Sequence, residues 1–75
     1  MSSALPVLSG RDVVRVLEKF DRTFARQSGS HMILTKSGKH VTLSVPRHTE
    51  VAKGTLRSLI RSAGLTVEEF GEAAR

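Results

Sequence analysis

From His40 to Val45 apolar and polar residues alternate without a break: Val41, Leu43 and Val45 against His40, Thr42 and Ser44. Successive side chains of a β-strand point to opposite faces, so this stretch reads as a strand with one face buried and the other open. Pro46 stops it. The same period over residues 30–35 turns Met32 and Leu34 inward, and His31, Ile33 and Thr35 outward. Between the two lies Lys36-Ser37-Gly38-Lys39, a hairpin loop with glycine where a positive φ is needed. Residues 23–27 form a shorter first strand, and Ser28-Gly29 is the corner that leads into the second.

Helices flank these strands. Ser9 is an N-cap with Asp12 three residues on, and Val13, Val16, Leu17 and Phe20 recur at helical spacing, which predicts a helix over residues 10–19 closed by Asp21. Residues 47–53 are a basic connector into a second helix over residues 54–63. Its inner face is Leu56, Leu59, Ile60 and Ala63, and Gly64 stands at C′. Thr66 with Glu69 caps a short last helix carrying Val67 and Phe70. One sheet covered on one side by helices is an α+β sandwich: a three-stranded antiparallel sheet with helices on one face, plus a short C-terminal helix. The three phenylalanines all fall in helical or strand-one patterns and read as core, which leaves no aromatic platform for stacking bases.

At 75 residues the chain is expected to be a single domain, 1–75, with a small core. It has no cysteine, so neither a disulfide framework nor a thiolate metal site can form, and the expected compartment is the cytoplasm. No apolar run is long enough to span a bilayer, so no membrane is expected among its partners. The net charge is +5, but it is segregated. Residues 1–21 balance to zero, residues 22–61 carry eight Lys and Arg against Glu50 alone, a net +7, and residues 62–75 carry −2. A basic middle of this kind is the electrostatic footprint of a protein that meets a polyanion, most often nucleic acid; the plainer reading is a solvated basic surface.

Imidazole titrates near neutral pH and can both take and give a proton, so the three histidines are the first candidates for chemistry. His31, His40 and His48 lie nine and eight residues apart with no carboxylate close by, and no strand or helix period pairs them as ligands; no metal and no cofactor are expected. A nucleophile–base–acid triad lacks its acid. RNA, however, brings its own nucleophile, the ribose 2′-hydroxyl, so its cleavage needs only a proton acceptor, a proton donor and cations around the phosphate. His31, on the open face of the sheet and in the basic segment, reads either as that proton carrier or as a surface polar residue with no task. His40 is a second acid/base group or an ordinary exposed residue. Ser30 could hydrogen-bond a phosphate oxygen or cap the turn. Arg47 and His48 could bind phosphate or cap the helix, Lys53 stands at a helix start that favours an anion, and Lys36 and Lys39 add charge in the hairpin loop.

In order along the chain, Leu8-Ser9-Gly10-Arg11-Asp12-Val13, Gly29-Ser30-His31, Val45-Pro46-Arg47-His48, Lys53-Gly54-Thr55-Leu56-Arg57 and Ala63-Gly64-Leu65 resemble the HicA toxin family over about residues 7–70. The resemblance implies a double-stranded-RNA-binding-like α-β-β-β-α fold. It also implies the toxin of a type II toxin–antitoxin system, a metal-independent endoribonuclease (an mRNA interferase) that arrests growth. Its catalytic residue would be His31, and its partners mRNA and a HicB-type antitoxin; the RNA contacts expected from the residues themselves are Ser30, Lys36, Lys39, Arg47, His48 and Lys53. Self-association is expected only through that antitoxin. The alternatives are a non-catalytic RNA-binding module of the same fold and a basic partner-binding protein. At Asp21-Arg22 the chain departs from the family, which usually has a glycine followed by an apolar residue there.

Overall fold

A computed structural model describes residues 5–36 and 42–75 of the chain. The elements are α1 (Gly10–Glu18), β1 (Arg22–Ser28), β2 (His31–Lys36), β3 (Thr42–Pro46), α2 (Lys53–Ser62) and α3 (Val67–Ala73). The strands form one antiparallel sheet in the order β1-β2-β3. Helix α1 packs against all three strands, α2 packs against β3, and α3 closes against both helices. This is the α-β-β-β-α arrangement with α3 added, and each element lies close to the span its residue pattern predicts. Ser37, Gly38 and Lys39 of the hairpin loop, and the first strand residues His40 and Val41, lie outside the described residues.

The local signals act as the sequence dictates. The Asp12 N–H donates to Ser9 Oγ at 3.1 Å while the Asp12 carboxylate accepts from the Ser9 N–H, and Thr66 and Glu69 do the same for α3. Gly64, at φ +77, turns the chain out of α2, and Gly29, at φ +59, makes the two-residue connection from Ser28 to His31. Met32 and Leu34 of β2 and Leu43 and Val45 of β3 are buried under the helices, so the expected faces of both strands are the observed ones. They meet Val13, Leu17, Leu56, Ile60 and Phe70 in one core, each such side chain contributing roughly 1.5–3 kcal/mol by leaving water.

Strand β1 departs from expectation. It is an edge strand, and only its first residue is buried. Phe24 pairs with Leu34 and so faces the helix side, yet it remains 43% exposed and is not the core residue its pattern suggests. The cause is position: burial on the helix face follows β2 and β3, and past Arg22 none of β1 is buried. Arg22 is buried instead, only 6% exposed, and its Nη1 finds no hydrogen-bond acceptor among the described residues. Asp21, immediately before it, holds φ +66, the left-handed turn for which glycine is best suited. Among the described residues no helix is long and apolar enough to cross a membrane.

Candidate functional site

The expected site residues divide into two groups by strand geometry. His31 is the first residue of β2, is exposed, and pairs with Pro46 of β3 on one side and Ser28 of β1 on the other. One step outward, the Arg47 N–H donates to the Ser30 carbonyl at 2.8 Å. Ser30, His31, Arg47 and His48 therefore sit at one end of the sheet. Lys36 ends the same strand five residues on, about 17 Å away at roughly 3.3 Å per residue, and shares the inward parity of Met32 and Leu34. It joins neither the end nor the face that carries His31. Lys39 and His40 lie outside the described residues.

Beyond Pro46 the chain is stitched to the segment that enters α1. The Gly10 N–H donates to the His48 carbonyl at 2.9 Å, and the Val51 N–H to the Leu8 carbonyl at 2.8 Å. That approach requires glycine: a Cβ on Gly10 would drive into the Pro46 carbonyl oxygen and press Met32 Cε at 3.1 Å. The result is an open cleft of about 180 Å³ lined by Ser9, Arg11, Arg47, His48 and Thr49. Two guanidiniums and an imidazole thus converge beside the N-terminus of α1, a setting that favours an anion with several acceptor oxygens. Lys53 is engaged otherwise. Its ammonium donates to the carbonyls of Leu5 and Pro6, tying down the N-terminal lead-in.

The outer face of the sheet carries Thr23, Arg26 and Ser28 of β1, His31, Ile33 and Thr35 of β2, and Thr42 and Ser44 of β3. None of these is a carboxylate. No side chain among the described residues hydrogen-bonds the His31 imidazole, which is left free to meet a substrate. Among the described residues no three His, Asp or Glu side chains gather into a metal-holding group.

Two residues stand at this site that reasoning from sequence left out. Arg11 belongs to a stretch of zero net charge and reaches the cleft only because the exit from β3 folds back onto Gly10; a glycine opening a capped helix was the available signal. Arg26 shares the face of His31 only because β1 is irregular between Phe24 and Arg26, for which the alternation pattern gives no sign. In comparisons with known proteins, the family model described as HicA toxin of bacterial toxin-antitoxin matches residues 10–65, which span every helix and strand except α3. No curated protein matches the chain.

Proposed function

The chain belongs to the HicA toxin family of bacterial toxin–antitoxin systems, and from that premise we propose that it is an endoribonuclease that cleaves mRNA with His31 as its proton carrier. The observation that carries the reading is the position of His31. It stands exposed on a face that carries no carboxylate among the described residues, one residue along the sheet from a cleft holding Arg11, Arg47 and His48.

In this mechanism the cleft holds the RNA backbone through a phosphate while the scissile linkage lies over His31. The imidazole takes the proton of the ribose 2′-hydroxyl, and the 2′-oxygen attacks the adjacent phosphorus. As the new oxygen–phosphorus bond forms, the bond to the 5′-oxygen breaks and that oxygen takes a proton from water. The products are a 2′,3′-cyclic phosphate and a free 5′-hydroxyl. Ser30 supplies a hydroxyl donor next to His31, Arg47 supplies a cation, and His48 an imidazole beside it. Lys36 and Lys53 serve only the approach of the polyanion, since Lys53 is bonded to carbonyls and Lys36 stands at the far end of β2. The partner that neutralises the toxin is a HicB-type antitoxin.

His31→Ala is expected to leave the thermal melt and RNA affinity of the protein unchanged while abolishing cleavage of a defined RNA, and the parent should cut equally well in excess chelator. Cleavage by purified His31→Ala at the parent rate would remove His31 from the mechanism. Salt-sensitive RNA binding by the parent without any cleavage product would identify a binding module instead.

A further inference from the structure

In β1, Arg22 and Phe24 pair with Lys36 and Leu34, so they share the inward parity of those residues. An unbroken strand would send Arg26 the same way, because residues two apart share a face. Ala25 is an extra residue, however: Phe24 pairs with Leu34, whereas Arg26 pairs with Ile33, the very next position along β2. A bulge of this kind reverses the face of everything that follows it. Gln27 therefore turns inward opposite Met32, and Arg26 and Ser28 join the outer face with Ile33 and His31. Ser28 stands directly across from His31, which makes Arg26 its diagonal neighbour, roughly 7–8 Å away and within reach of a long side chain.

We infer that Arg26 is a second catalytic residue, a cation that contacts the non-bridging oxygens of the scissile phosphate while His31 handles the 2′-hydroxyl proton. The inference rests on the endoribonuclease reading above and adds a residue to it. Arg26 is exposed, takes part in no ion pair among the described residues, and shares its face with no carboxylate, so its fork of donors is uncommitted. A planar guanidinium matches two phosphate oxygens at once. When the 2′-oxygen adds to phosphorus, the charge on those oxygens grows from about one to about two. A cation in contact there binds the transition state more tightly than the bound substrate, which is the condition for raising the rate and not merely the affinity.

The test separates rate from binding. Single-turnover cleavage at saturating RNA is measured for the parent, Arg26→Gln and Arg26→Lys, alongside the affinity of each for an RNA carrying a 2′-deoxyribose at the cleavage position. The expected result is a loss of about 100-fold in rate for Arg26→Gln, far larger than its loss of affinity, and a partial recovery in Arg26→Lys. A rate equal to the parent's, or a loss confined to affinity, overturns the inference while leaving the role of His31 intact. A parent that does not cut RNA overturns both. Amide fingerprint spectra confirm that each variant is folded, and Arg26→Lys, which keeps stem and charge, carries the test if Arg26→Gln is not.

Discussion

Arg22 is the one charged side chain buried among the described residues. Its side chain is almost wholly buried, it forms no ion pair among the described residues, and its Nη1 lacks an acceptor there. A guanidinium stays charged at any accessible pH, so it cannot escape the cost of burial by losing its proton. What keeps it in place is geometry: β1 begins there, directly after the left-handed turn at Asp21, and the parity of β1 sends its first residue inward. A hydrophobic side chain buried at the same position would carry no such penalty. Arg22→Leu should therefore stabilise the protein by about 1–3 kcal/mol. In a domain of this size each kcal/mol corresponds to a rise of roughly 4–8 °C in Tm. Thermal and urea unfolding would show it directly, and a lower melting temperature for the leucine variant would mean that the guanidinium has found partners that offset its desolvation.

Among the elements, the segment entering α1 and the segment leaving β3 do most to set the site. Two backbone hydrogen bonds, Gly10 to His48 and Val51 to Leu8, hold them together, and they bring Arg11 to Arg47. Gly10→Ala should break this seam, because the added methyl group meets a backbone carbonyl oxygen that cannot rotate away. The expected cost is about 1–3 kcal/mol of stability, read from a urea titration, with RNA affinity reduced as the cleft opens. An alanine variant as stable as the parent would show that α1 can shift without consequence. The sequence carried much of this architecture. Alternation in residues 40–45 and 30–35 places the buried faces of β2 and β3, and the capping boxes at Ser9 and Thr66 mark where α1 and α3 begin, because those signals are local. What was not legible is what depends on neighbours. Phe24 and Arg22 exchange the burial that their polarity predicts because β1 is the edge strand, and the extra residue at Ala25 has no side-chain signature. The outward position of His31 was legible from its strand, the positions of Arg26 and Arg11 were not, and Lys36 lies on the inward face at the other end of β2 because charge alone does not report direction.

Across the whole molecule the two layers differ in their acids. Glu68, Glu69 and Glu72 lie on α3 and Asp12 and Glu18 on α1, all on the helical layer, where Arg11, Arg15, Lys53, Arg57 and Arg61 stand among them, whereas the outer sheet face and its end carry Arg26, Arg47 and His48 with no carboxylate among the described residues. Of the helix acids, Asp12 and Glu72 are answered within their own neighbourhood, by Arg15 and by Arg75, through exposed pairs of little energetic consequence. The outer sheet face and its end therefore offer an RNA strand cations with no carboxylate beside them among the described residues. If binding runs through Arg11, Arg26 and Arg47, three phosphates are neutralised. Each phosphate contact with a single strand contributes roughly 0.7 to the slope of log K against log salt, so the total slope should be about −2. Measured between roughly 50 and 200 mM salt with an uncleavable RNA, Arg47→Gln should reduce the slope by about 0.7, and His31→Ala should leave it unchanged. A slope near zero would mean that the basic sheet face does not carry the RNA. A slope much steeper than −2 would bring Lys36 or Lys53 back into contact with the backbone, and would extend the path of the strand from the cleft toward the far end of β2.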